Sequence, residues 1–280
     1  MLTIAKFSFK EMLNKKALGL VILLTIVYLT LYGFGLREVY RHGTSNEIYR
    51  AALSSQLISV GLYFANFIVA FLVAFSAVGA LSGDVESGAM QALLVKPIRR
   101  WEVVMGKFLG IGAMISLYSA LFFTAIIALN KILGAKIIIQ IPNLIQGMLL
   151  FILGPIILLS AALWGSSRLS TLNTGILVVM LYGFAMVGGM MEQVGSMMAM
   201  AGQKIQGLIN VGIISSLIMP TDVIFRKMNS TLFTGAGINF LSGGFFGAGS
   251  EPSIWMMVYI GIYVVASLYM AMSYFNRRDI

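Results

Sequence analysis

Residues 83–107 read GDVESGAMQALLVKPIRRWEVVMGK. They stand between two apolar runs, 57–82 and 108–129, that contain no charged residue. The chain has 19 Lys and Arg and 10 Asp and Glu, and seven of these fall in this one stretch: Asp84, Glu86, Lys96, Arg99, Arg100, Glu102 and Lys107. An apolar run of about 20 residues is long enough to cross a bilayer as a helix. A polar knuckle between two such runs is therefore a loop between spans that presents its charge at one membrane face.

Composition agrees with that reading. Hydrophobic residues make up 59% of the 280 positions and charged residues 10%, against about a quarter charged in an ordinary soluble domain. So apolar a chain cannot cover its own core with polar surface, and it is expected to be an integral membrane protein. The net charge of +9 sits mostly at the ends of apolar runs, where basic residues anchor and orient spans on anionic lipid. No basic face interleaved with aromatics is present, so nucleic acid is not an expected partner. There is no cysteine, hence no disulfide framework and no thiolate chemistry. The single histidine, His42, lies in a polar loop and reads as solvated rather than metal-binding.

Six segments meet the length requirement: 17–36, 57–82, 108–129, 144–165, 172–191 and 254–275. The first is longer than the ~7–15 apolar residues of a signal peptide and reads as a retained anchor. None of the six cores contains Asp, Glu, Lys, Arg or His. A proton-driven carrier would place a titratable group at the midplane, and a membrane hydrolase would show paired carboxylates, HExxH or a histidine-activated nucleophile. Nor is there a GxxxxGK[ST] phosphate loop. Any energy input is expected to enter from outside the spans.

With the N-terminus inside, Lys6, Lys10, Lys15, Lys16, Lys96, Arg99, Arg100, Lys107, Arg168, Arg277 and Arg278 face the cytoplasm. The remaining basic residues spread over longer outer loops. This asymmetry puts both termini and the knuckle in the cytoplasm. Residues 1–16 read as an interfacial helix, with Leu2, Ala5, Phe9, Met12 and Leu13 on one stripe and Lys6, Lys10 and Asn14 on another. The segment 192–253 is expected to be an extracytoplasmic loop, and its apolar piece Ile205–Met219, stopped by Pro220, suits an interfacial or re-entrant helix. Asn229-Ser230-Thr231 matches a glycosylation sequon, a pattern common by chance. The spacings Gly106-xxx-Gly110 and Gly79-xxx-Gly83 are likewise expected by chance in so glycine-rich a chain.

Within the knuckle, Asp84 to Val95 supports a short helix with acids in its first turn, where they complement the helix dipole. Val85, Ala89, Met90, Leu93 and Leu94 form its apolar side. Lys96-Pro97 ends it, because a residue before proline is pushed out of the helical region. Arg99, Arg100 and Trp101 then open a second helix that enters the third span at Gly106-Lys107.

These residues carry a resemblance. Glu86, Gly88, Met90, Leu93, Leu94, Pro97, Ile98, Arg100, Gly106 and Lys107 match the acidic residue, G-x-M-x-x-L-L-x-x-P-I-x-R stretch and G-K of the type-2 ABC exporter permeases. The six-span plan, the N-terminal helix, Pro220-Thr221-Asp222 with Arg226, and the basic tail resemble that family too. The resemblance implies a single permease domain over 1–280: an all-α membrane protein with six transmembrane helices, an N-terminal interfacial helix and a cytoplasmic coupling helix. It implies that the knuckle, Asp84, Lys96, Arg99, Trp101 and Glu102 included, docks on a separate cytoplasmic ATPase subunit. It further implies a second permease subunit, identical or different, and a cytoplasmic-membrane location. ATP and Mg would be bound by the partner, leaving this chain without catalysis or cofactor. The competing readings are an ATP-independent channel or carrier and a non-transporting scaffold subunit.

Overall fold

The computed structural model describes residues 1–41, 47–90, 99–135, 139–200, 205–233 and 252–277. These form helices α1 (Leu2–Asn14), α2 (Lys16–Arg41), α3 (Glu47–Ala77), α4 (Ser82–Glu86), α5 (Arg100–Leu133), α6 (Ile141–Arg168), α7 (Thr171–Met200), α8 (Gln206–Ile218), α9 (Thr221–Phe233) and α10 (Ile254–Arg277). Hydrocarbon offers no partner to a bare N–H or C=O, so apolar runs of this length are stable only as helices that bond their own backbone. Six stretches are long and apolar enough to span: α2, Tyr49–Glu86, α5, α6, Thr171–Ser196 and α10. The chain is an all-α membrane protein.

Five of the six expected spans lie inside one helix, while 57–82 runs past α3 into the turn before α4; α2, α3, α5 and α7 each begin or continue at least a turn beyond the expected limits. Hydropathy marks the lipid-matched core, whereas the backbone stays helical through polar residues until a proline, glycine or competing contact stops it. Gly134, with φ of 112°, is such a stop for α5.

Packing inside the bundle is polar as well as apolar. The Tyr28 and Tyr32 hydroxyls on α2 donate to Gly61 O and Leu57 O of α3, each at 2.8 Å. Asn130 Nδ2 of α5 donates to Tyr32 Oη at 2.9 Å. A Cβ on Gly61 would lie 2.5 Å from Tyr32 Oη, so only glycine lets that ring close on α3. The apolar core is lined chiefly by α3, α5 and α6, while α2 and α10 turn most of their surface outward.

Three expectations change. First, α1 is packed on the protein rather than laid only on lipid. Ser8 and Met12 are buried, while Leu2 and Leu13, assigned to the same stripe, stay outside at 82% and 50% exposed. Its seat is the Gly106/Gly110 pair, where a Cβ would meet Ile4 at 2.8 Å and Ala5 O at 2.3 Å. That spacing therefore seats α1 against α5 and is not chance. Gly79 and Gly83 meet only Thr171, at ordinary distances.

Second, 192–253 is not mainly loop. The helix α7 runs on to Met200, and α8 and α9 follow with a 105° bend at Met219-Pro220. The polar residues of α9 hid it from hydropathy, yet nearly all of it is buried, with Leu232 against Gly147 of α6. Asn229, in the sequon, is 1% exposed and not open to modification. The glycine-rich stretch 235–249 lies outside the described residues. Third, Glu192, expected in a loop, lies within the helix α7, and Lys107, expected where the second knuckle helix enters the third span, is buried there.

Candidate functional site

Two charged clusters stand at opposite ends of the bundle. At the first, after α3, the chain turns through 78–81, makes the single-turn helix α4 and reverses at Gly88. There φ of 74° is open to glycine at little cost. Helix resumes at Ala89-Met90, with Met90 fully buried. Leu93, Leu94, Lys96, Pro97 and Ile98 lie outside the described residues. Arg99 is the N-cap of α5.

Each charge of this knuckle that the structure describes as bonded reaches a different part of the bundle. Lys107, 5% exposed, donates through Nζ to the Asp84 carboxylate and to Ala80 O. A buried ammonium needs such partners, since lysine is almost never enclosed unpaired. This ties the turn after α3 to α5. Glu86 extends to the start of α7: Oε1 accepts from Thr171 N at 2.9 Å and Oε2 from Thr171 Oγ1 at 2.8 Å. A carboxylate at a helix N-terminus satisfies an orphan N–H and meets the positive end of the dipole. Ser166 Oγ of α6 accepts from Leu81 N and Ser82 N at 3.1 and 3.0 Å. The hydroxyls of Ser82 and Thr171 are 3.0 Å apart.

Arg100 donates to Phe275 O and Asn276 O, at 3.4 and 3.3 Å, and so engages the carbonyl end of α10. Glu102 lies 4.0 Å from the Met1 ammonium, above the seat of α1. The Arg168 guanidinium stacks 5.1 Å over Tyr274. Arg99 and Trp101 are exposed, Trp101 at 37%. This end of the molecule thus gathers the N-terminal helix, the knuckle, the α6–α7 turn and the C-terminal end of α10.

Sequence reasoning placed Glu86 and Arg100 in the site, either bracing the two knuckle helices or meeting a partner. The structure joins Glu86 to α7 and Arg100 to the end of α10. It adds Thr171 and Ser166, which the sequence reading did not single out. Ser170-Thr171 ahead of an apolar run is a helix-start signal, but nothing in the sequence says which acid completes it.

The second cluster is at the far end, where α7 meets the bent pair. Arg226 of α9, 3% exposed, forks onto Glu192 of α7 with Nη1–Oε1 and Nη2–Oε2 distances of 2.5 and 2.9 Å. Its Nε lies 2.9 Å from Asp222 Oδ2, and Nη2 is 3.4 Å from Ser216 Oγ. Bidentate geometry is the strong form of this pairing. Glycine makes the approach possible. A Cβ on Gly188 would fall 1.8 Å from Ser215 Oγ, one on Gly189 2.1 Å from Asp222 Cγ, and one on Gly212 2.3 Å from Glu192 Cβ. The sequence reading named Arg226 and Asp222 only as part of a layout and missed Glu192, which falls one residue beyond the expected span. Among the described residues no group of His, Cys, Asp or Glu could hold a metal ion.

A comparison with known protein families matches residues 2–280 to the family described as ABC-2 family transporter protein. No curated protein matches the chain.

Proposed function

The chain belongs to the ABC-2 transporter family, a family of membrane permease subunits, and from that premise we propose that it is an exporter driven by a separate ATPase. The permease lies in the cytoplasmic membrane with its knuckle end and both termini inside, as the lysine and arginine distribution favours. Residues 84–107 dock on the ATPase, and a second permease subunit completes the transporter. ATP and Mg are bound by the partner, and this chain catalyses nothing itself.

The observation that carries this reading is the wiring of the knuckle. Asp84 is bound to α5, Glu86 to α7 and Arg100 to α10. Movement of one short charged segment is thereby delivered to three spans at once. Closure of an ATPase pair beneath it would shift those spans relative to α3 and rock the bundle between inward and outward access. The exposed Arg99 and Trp101, with Gly88, Met90, Leu93, Leu94, Lys96, Pro97, Glu102, Gly106 and Lys107, form the remainder of the proposed coupling segment.

The test is purification from native membranes without crosslinking. The expected result is a complex with a cytoplasmic ATPase, with no hydrolysis by the isolated chain. Nucleotide hydrolysis by the pure chain, or its recovery with no ATPase under any mild condition, overturns the proposal.

A further inference from the structure

At the end of the bundle away from the knuckle, α2 and α5 border a groove of about 610 Å³. Small residues open it. Gly33 of α2 and Ala125 and Ala128 of α5 line it, and a Cβ on Gly33 would meet nothing within 4 Å. The larger Ile26, Phe34 and Ile132 that border it are exposed. Its walls are tied together by side chains outside the lining. Thr25 of α2 shares a hydrogen bond with Tyr118 of α5. Asn130 of α5 donates to Tyr32 Oη at 2.9 Å and accepts from Tyr40 Oη at 3.3 Å. The two helices are thus held on each other along the groove, and the recess is preformed, as ligand sites usually are.

The lining is apolar except at one end. Thr30 belongs to it, but its Oγ1 donates to Val27 O at 2.8 Å and is already satisfied. Arg37 is the one charged residue of the lining; it is exposed and makes no ion pair among the described residues. From Ile26 to Arg37 the helix rises about 16 Å, half of the ~30 Å hydrocarbon core of a bilayer. The groove is therefore as long as one leaflet is deep. Arg37 is the first residue past the apolar run 17–36, which puts its guanidinium at headgroup depth. A guanidinium pairs strongly with a phosphate. An apolar chain lying between two helices gains dispersion contacts on both sides, which a flat helix face does not offer.

We propose that this groove holds an anionic phospholipid, with one acyl chain between α2 and α5 and its phosphate on Arg37. The lipid is a resident ligand rather than cargo, and on the sidedness argued above it belongs to the outer leaflet. A second copy of the chain would also cover the exposed border. An unpaired guanidinium at one end of an apolar recess one leaflet long fits an anionic head on an apolar chain better. The proposal requires only that the chain spans a membrane, so it stands apart from the exporter reading, and neither nucleotide nor ATPase enters its test.

The experiment uses the purified chain, with any ATPase that copurifies, in nanodiscs of mixed phosphatidylcholine and phosphatidylglycerol. Each lipid is added in turn as a trace analogue with a photoreactive diazirine on its acyl chain, and adducts are mapped by mass spectrometry of the digested protein. Labelling of the outward-facing α10 serves as the reference for bulk lipid. Relative to it, adducts at Ala125, Ala128 and Leu129 are expected to be about fivefold more frequent from phosphatidylglycerol than from phosphatidylcholine. Arg37→Gln should bring the two lipids to parity there and leave the phosphatidylcholine adducts unchanged. Gly33→Phe fills the open space and should lower the adducts of both lipids at these positions, with Tm unchanged. Ala128→Leu, at an exposed position of the same groove, is a second filling variant should Gly33→Phe not fold. Equal labelling of the native groove by the two lipids, a preference that survives Arg37→Gln, or labelling unmoved by groove filling overturns the proposal. A groove protected from both lipids and crosslinked to a second copy of the chain overturns it in favour of a contact between copies.

Discussion

The knuckle and the far-end cluster use the same residue types for different work. At the knuckle, Glu86 is exposed and Arg100 only partly covered, and their bonds run to helix ends: the first N–H of α7 and the last carbonyls of α10. At the far end Arg226 is enclosed, and its bonds run side chain to side chain across glycine-lined helix faces. An exposed tie can be made and broken against water at little cost, so it suits a segment that transmits motion. An enclosed charge has no water to fall back on, so its partners hold the bent pair against α7.

That contrast predicts a graded series. The largest effect is expected at Arg226. Replacement by alanine takes the guanidinium away from the buried Asp222 and the half-buried Glu192 and should cost about 3–5 kcal/mol, read as loss of folded, monodisperse protein or a large fall in Tm in detergent. Arg226→Lys keeps the charge but not the fork and should fall between. An Arg226→Ala protein as stable as the native one would break the comparison.

Next comes Gly110→Ala. Its Cβ would meet the backbone oxygen of Ala5 at 2.3 Å, an atom that moves only with α1. Overpacking of this kind costs about 1–3 kcal/mol, and faster proteolysis of the N-terminal helix should accompany the lower Tm. An N-terminal helix still protected in Gly110→Ala would mean that α1 is held by lipid rather than by α5.

Glu86→Ala is expected to change stability little and function much. The complex with the ATPase should form, but substrate-stimulated hydrolysis and transport should fall, with Glu86→Gln intermediate because it keeps an acceptor for Thr171. Normal transport by Glu86→Ala would remove α7 from the coupling route. Arg100→Ala should be milder still, about 0–1 kcal/mol, since its bonds to the end of α10 are long at 3.3 and 3.4 Å. A larger stability loss there than at Arg226 would invert the ranking.

The smallest perturbation tests sidedness. Cysteines at the exposed positions Ser87 and Lys131 should leave stability unchanged. A membrane-impermeant thiol reagent should label Lys131→Cys in intact cells and Ser87→Cys only in opened vesicles. The reverse pattern would place the knuckle outside and remove it from any cytoplasmic partner.

The sequence by itself determined the spanning helices, because hydrocarbon imposes a local rule: about 20 apolar residues in a row must be helix, whatever lies around them. It also located the knuckle, because a run of charges between two apolar stretches is legible from local composition alone. It could not show α9, which is enclosed by α6 and whose Arg226 and Asp222 are received by Glu192 and the glycines of α7. Nor could it pair Glu86 with Thr171, 85 residues away, Arg226 with Glu192, or Gly110 with Ala5. Those partners depend on how helices cross and how closely glycine lets them approach, and packing of that kind leaves no period in a single chain. Tertiary structure alone decided them, because a buried charge is stable only where the fold brings its counterpart.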